Sequence, residues 1–230
     1  MDNEQKAVRI LQTFTGPWEK PALIKMAQAL PAWVTSDQLT VLGVISSFII
    51  FGGLFLLWRS PWWIMLSNAG FVINWWADSL DGTLARVRHR EREKYGHFVD
   101  HICDAFGTAL VCTGLALSPL VHPGIGMAVA IGYLLMNVYA HLLAYVDHVF
   151  KISYGRFGPT EVRIMFMTVS TVFAFWNPRI LNIKQTIFHF ADTIFGGVAV
   201  VLVVIFVVSS IKKAAQLDRQ DRAKWKASGT

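Results

Sequence analysis

Leu39-Thr-Val-Leu-Gly-Val-Ile-Ser-Ser-Phe-Ile-Ile-Phe-Gly-Gly-Leu-Phe-Leu-Leu57 is a run of 19 residues without a charge. A helix crosses a bilayer with ~20 mostly apolar residues, so this stretch predicts a membrane span. Outward from it come five more apolar stretches: Pro61–Ala77, Phe98–Leu117, Gly124–Val146, Ile164–Trp176 and Ile187–Ile211. The fifth is short at those limits and is expected to extend back through Arg163 and Glu161, because polar residues near a helix end can reach the interface. The chain is 54% hydrophobic and 16% charged, against about a quarter charged in soluble domains. A water-exposed fold is excluded.

The expected architecture is an all-α membrane protein with six transmembrane helices and an N-terminal interfacial amphipathic helix. Residues 1–38 form the interfacial segment, 39–211 the six-helix membrane domain and 212–230 a basic cytosolic tail. The first segment mixes charge with Ile10, Trp18, Leu23, Ile24 and Met26, and Pro17 and Pro21 are expected to break it. The net charge of +6 is explained by topology rather than by nucleic acid, which is not expected as a partner. Lys6, Arg9, Lys20, Lys25, Arg86, Arg88, Arg90, Arg92, Lys94, Lys151, Arg156, Arg163, Lys212, Lys213, Arg219, Arg222, Lys224 and Lys226 fall on one side. Arg59, Arg179 and Lys184 fall on the other. That bias places both termini in the cytosol and favours anionic membrane lipids at the basic face.

Four acids stand where solvation is difficult. Asp78 and Asp81 end the second apolar stretch in Asn74-Trp-Trp-Ala-Asp78-Ser-Leu-Asp81-Gly82-Thr-Leu-Ala85-Arg86. Asp100 and Asp104 begin the third in Gly96-His-Phe-Val-Asp100-His101-Ile-Cys-Asp104. Spacings of three and four put each pair on one helix face, with Cβ atoms about 5–6 Å apart. A short connection is expected to make the two helices antiparallel neighbours, so that all four carboxylates converge. Like charges at that range need compensation. Neighbouring arginines would make the acids interhelical salt bridges; a divalent cation would make them a metal site. All-oxygen ligation selects Mg²⁺, Mn²⁺ or Ca²⁺ over zinc. Gly82, Ala85 and Gly96 leave room for a bulky ligand beside the acids.

The pattern Asp78-x-x-Asp81-Gly82-x-x-Ala85-Arg86, then Gly96-x-x-x-Asp100-x-x-x-Asp104, resembles the signature of the CDP-alcohol phosphotransferase/phosphatidyltransferase family. The connection Val87–Tyr95 is one residue longer than is usual there. Leu30-Pro31-x-x-Val34-Thr35-x-x-x-Leu39-Thr40 is similar to the family's entry into its first span. The resemblance implies a phospholipid-biosynthetic transferase that moves a phospho-substituent from a CDP-linked substrate to a lipid or polar alcohol acceptor and releases CMP. It makes Asp78, Asp81, Asp100 and Asp104 ligands of Mg²⁺ or Mn²⁺, with two ions expected, and Asp104 a proton acceptor. It places Gly82, Ala85, Arg86 and Gly96 against the cytidine diphosphate. The site would face the cytosol, at a bacterial inner membrane or an endomembrane. A homodimer is compatible with all of this.

His101 extends the motif to Asp100-His101-x-x-Asp104, which resembles the choline and ethanolamine phosphotransferase branch. It reads as a second candidate base or as a packing histidine. Gly158-Pro159-Thr160-Glu161-x-Arg163 opens the fifth stretch. There Glu161, a candidate catalytic residue, and Arg163 either close the active site or position the acceptor, or the residues simply start a helix. These features favour a CDP-aminoalcohol donor and a lipid hydroxyl over CDP-diacylglycerol and a polar alcohol.

Other residues invite bland readings. Cys103 and Cys112 lie nine residues apart on one expected helix, roughly 13 Å, too far for a disulfide. Asn74 reads as an interhelical hydrogen-bond donor, Trp58, Trp62, Trp63, Trp75 and Trp76 as interfacial anchors, and Gly52-Gly53, Gly124-x-Gly126 and Gly196-Gly197 as close helix contacts. A cation transporter also carries intramembrane acids, but near the midplane and in repeated halves. Here they gather at one edge.

Overall fold

The computed structural model describes residues 8–10, 16–147, 149–151, 159–177, 179–183 and 186–227. Gly158 and parts of the first and last expected segments lie outside these residues. Seven α-helices are described: α1 (Gly16–Ala29), α2 (Ser36–Leu56), α3 (Ile64–Val87), α4 (Glu93–Ala116), α5 (Pro123–Asp147), α6 (Pro159–Phe175) and α7 (Phe190–Ala227). A 3-10 turn, Pro61–Trp63, leads into α3. The architecture is all-α, as expected, and two short strand pairs accompany the helices. Strands β1 (Val8–Ile10) and β2 (Val149–Lys151) pair in parallel, Val8 opposite Val149. Strands β3 (Arg179–Ile183) and β4 (Thr186–His189) form an antiparallel hairpin. Of the described helices, α2, α4, the Pro123–Leu143 part of α5, and α7 are each long and apolar enough to cross a membrane.

Helix α2 starts at a capping box: the Thr35 hydroxyl accepts from Gln38 N, and the Gln38 side chain accepts from Thr35 N at 2.8 Å. Two orphan amide donors are thereby satisfied. Its buried face, Ser46, Ser47, Ile50, Gly53 and Leu54, is largely small. A Cβ at Gly53 would lie 2.8 Å from Ser67 Cα, and one at Gly70 2.9 Å from Ile50 N, so α2 and α3 meet backbone to backbone. Helix α4 approaches the same helix through Gly114, where a Cβ would lie 3.1 Å from Phe51 Cα. Such approach lets dispersion and weak polar contacts hold apolar helices together in lipid.

This packing corrects one expectation. α3 and α4 both pack against α2 and make no extended contact with each other. Their short connection ties their ends, but small residues draw each along its length onto α2. The acids therefore face a space between α3 and α4 rather than a closed seam.

Two apolar clusters support that space. One joins Ile50, Leu54, Ile64, Phe71, Leu115, Phe173 and Phe195 at the end remote from the acids. The other joins Leu23, Ala27, Val34, Leu39, Leu80 and Leu84 beneath α1. α1 continues through Pro21 instead of breaking there. That residue lies near the helix start, where little of the backbone hydrogen-bond ladder is lost.

At the opposite end, helix α7 begins at Phe190, three residues later than expected. The buried Asp192 carboxylate accepts from His189 N at 2.8 Å and from His122 N at 2.6 Å, capping α7 while holding the α4–α5 connection. α7 then runs 38 residues to Ala227 without a break at Ile211. At 1.5 Å per residue that is about 57 Å, well beyond a ~30 Å hydrocarbon core.

The glycine expectations hold at Gly53 and at Gly126, where a Cβ would lie 2.8 Å from Ala116 N; Gly52 and Gly197 face open space. Cys103 and Cys112 are both free. Among the tryptophans, Trp62 and Trp63 are exposed, and Trp58 is exposed but also donates to Leu117 O at 2.7 Å. Trp75 and Trp76 are not simple anchors: Trp75 bonds to Glu19, and Trp76 packs beneath α1.

Candidate active site

The end of α3 fixes the entrance. Arg88 caps the helix, His89 N–H reaches Arg86 O at 3.1 Å and Arg90 N–H reaches Ala85 O at 3.0 Å. This is a Schellman arrangement, which needs a left-handed residue after the cap. His89 supplies it with φ 52°. The longer connection is thus accommodated within a tight helix end. Arg88 turns back to donate to Leu30 O (3.0 Å), Pro31 O (2.8 Å) and Val34 O. Arg92 pairs with Asp37 and lies 4.2 Å over the Tyr95 ring. The α3–α4 turn is therefore tied to the α1–α2 connection.

Each acid has its own setting. Asp81 Oδ2 accepts from Thr40 Oγ1 at 2.8 Å, its Oδ1 from Gly82 N at 2.5 Å, and its backbone carbonyl from Ser36 Oγ at 2.8 Å. Asp78 Oδ2 accepts from Arg163 Nη2 of α6 at 2.7 Å. One donor atom each from Asp100, His101 and Asp104 lies within 4.8 Å of the others. Asp78 and Asp81 stand outside that close group. They remain near enough for Asp104 to interact electrostatically with Asp78, Asp100 and Asp81. The four acids thus share one site without closing into a single tight cluster. One of the two readings of their compensation is realised in part, since Asp78 does pair with an arginine.

The His101 ring packs edge-on against His97, with centroids 4.2 Å apart, and against His141 of α5 at 4.5 Å. It both packs and contributes a donor atom beside Asp100. The glycines face open space: a Cβ at Gly96 would meet nothing within 4 Å, and one at Gly82 would meet only the Arg86 guanidinium, at 3.4 Å. Arg86 is exposed, and its Nη2 donates to Thr83 Oγ1 at 3.1 Å. Ala85 lies on α3 one residue before Arg86, half-buried, and Glu161 lies half-buried in the first turn of α6. Asn74 donates to Gly43 O at 3.1 Å, the interhelical role expected of it.

Residues 33–209 match the model of the CDP-alcohol phosphatidyltransferase family. The chain belongs to that family. It is 26% identical to cholinephosphotransferase 1 of Danio rerio over 67% of this chain and 43% of the relative. It is 36% identical to phosphatidylinositol phosphate synthase of Cutibacterium acnes over 47% of this chain and 50% of the relative. Cholinephosphotransferase 1 of Gallus gallus is 26% identical over 73% of this chain and 52% of the relative. The chain spans about half the length of these curated relatives.

Within the CDP-alcohol phosphatidyltransferase frame, several neighbours of the acids were not anticipated from the sequence. Glu19 reads as an easily solvated acid, yet it accepts from Trp75 Nε1 at 2.7 Å and from Thr160 Oγ1 at 3.2 Å, linking α1, α3 and α6. Tyr133 of α5 lies near Asp104 and Arg163. A histidine or tyrosine inside an apolar span is the signal that could have flagged His141 and Tyr133.

Proposed function

We propose that the chain is a six-span membrane enzyme that transfers a phospho-substituent from a CDP-linked donor to an alcohol and releases CMP at the cytosolic face. α3 and α6 complete the six spans, and α1, with Trp18 and Ile24 exposed, lies in the interface. The observation that carries this reading is the gathering of Asp100, His101 and Asp104 inside the matched region, with Gly82 of α3 and Gly96 of α4 uncrowded.

The donor set suits a hard divalent cation, because carboxylate oxygens predominate. Asp78, Asp81, Asp100 and Asp104 would hold Mg²⁺ or Mn²⁺, which neutralises diphosphate charge when bound. Arg86 presents a planar fork to a phosphate oxygen. Gly82, Ala85 and Gly96 let the cytidine diphosphate approach the helix backbones. The acceptor oxygen bonds to the distal phosphorus, the bond to the bridging oxygen breaks with CMP as leaving group, and the hydroxyl proton passes to Asp104. His101 is the rival base, and Glu161 stands at the α6 side of the site.

The donor is a CDP-aminoalcohol and the acceptor a lipid hydroxyl, which the Asp100-His101-x-x-Asp104 motif and the similarity to two cholinephosphotransferases support. The similarity to phosphatidylinositol phosphate synthase favours the second reading, CDP-diacylglycerol with a polar alcohol. Purified protein in nanodiscs, given labelled CDP-choline, CDP-ethanolamine or CDP-diacylglycerol with matched acceptors, decides between them. Turnover of one donor with Mg²⁺ and none in excess EDTA is expected. Full activity in EDTA would refute the metal assignment.

A further inference from the structure

The Asp78–Arg163 pair joins α3 to α6, and both side chains are largely enclosed, 26% and 18% exposed. Asp81, three residues along the same helix, is held by the uncharged donors Thr40 and Gly82. A guanidinium stays charged at any physiological pH, so Arg163 neutralises Asp78 in the metal-free site at every such pH. A divalent cation on Asp78 would put like charges side by side within the low-dielectric end of a helix bundle. Both partners cannot keep that carboxylate fully.

We propose that Arg163 is the resident counter-ion of Asp78 and competes with the divalent cation for it, so that filling the site releases α6 from α3 at this point. It rests on the assignment of Asp78 as a metal ligand made above. Linkage makes the competition reciprocal: whatever the ion pair adds to the metal-free fold, it subtracts from metal affinity. A second tie between α6 and the acidic end, Thr160 to Glu19 at 3.2 Å, runs to α1. Loss of the ion pair therefore removes the direct charge contact between the first turn of α6 and Asp78, while Glu19 still joins Thr160 of α6 to Trp75 of α3. Arg163 is a positioning residue in this account, acting through Asp78.

Mn²⁺ binding to the full chain in nanodiscs, followed by electron paramagnetic resonance, tests this alongside thermal unfolding with and without Mn²⁺. Arg163→Met should bind Mn²⁺ about tenfold more tightly, within the range usual for coupled sites, and should melt lower than wild type only when metal is absent. Asp78→Asn/Arg163→Met should regain much of the metal-free stability, tracing the loss to an orphaned carboxylate. Arg163→Lys, which keeps the charge without the planar fork, should fall between wild type and Arg163→Met. If Arg163→Met or Arg163→Lys binds Mn²⁺ no more tightly than wild type while Asp78→Asn binds it weakly, the competition is wrong and the ligand assignment stands. If Asp78→Asn binds Mn²⁺ as wild type does, the ligand assignment fails and takes the competition with it.

Discussion

Thr40 on α2 donates a 2.8 Å hydrogen bond to Asp81 on α3, 41 residues away. The same hydroxyl lies 3.1 Å from Ser36 O, a competing acceptor for its single proton, and Ser36 Oγ donates to the backbone carbonyl of Asp81. The first turn of α2 therefore sets the direction in which one carboxylate points. Groups that orient a metal ligand are typically worth 10–100-fold in affinity or activity. Thr40→Val preserves shape and removes the donor. It should cut turnover by roughly that factor and weaken Mn²⁺ binding, with the fold intact by circular dichroism. Unchanged metal affinity would mean that Asp81 needs no such support.

Asp104 and His101 make different predictions as bases. General-base assistance is typically worth ~10²–10⁴-fold. With Asp104 as the base, Asp104→Asn should retain measurable CDP-donor binding and lose turnover by that order, while His101→Ala keeps substantial activity. Nucleotide binding has to be measured apart from turnover, because Asp104 is also a candidate ligand. Near-normal turnover in Asp104→Asn would transfer the role to His101, whose ring lies between His97 and His141.

His89 sits at φ 52° after the α3 cap, a conformation that disfavours side chains with a Cβ by about 1–2 kcal/mol. Glycine relieves that cost but is freer in the unfolded chain, so His89→Gly should stabilise by ~0.5–1 kcal/mol. Thermal unfolding in detergent should show a rise of a few degrees. A fall would mean that the His89 side chain makes contacts worth more than the backbone strain.

The charge bias predicts a cytosolic Val87–Tyr95 connection. After Cys103 and Cys112 are replaced, Arg90→Cys should react with an impermeant maleimide in inverted vesicles and not in intact cells. Labelling from outside would reverse both the orientation and the side on which a nucleotide could enter.

Much of the molecule follows from local pattern. Apolar length gives the helices, and spacings of three and four put Asp78 with Asp81, and Asp100 with Asp104, on shared faces, because helix geometry repeats every 3.6 residues. Small residues at Gly53 and Gly126 announce close helix contact for the same reason. Local pattern misjudged the start of the last helix and the supposed break at Pro21. There capping by Asp192, contributed after the turn, and the position of proline within the first turns outweighed composition.

What the sequence by itself determined is which side chains share a helix face, and where charge gathers along the chain. Only the tertiary structure decided which helix lies between which, and therefore what each acid meets. α2, not α4, packs along α3; Arg163 reaches Asp78 across 85 residues, and Thr160 reaches Glu19 across 141. Such pairings have no period in the chain. They follow from the close approach that glycine and serine permit at the α2 contacts, which sets the distance and rotation of every helix packed around it.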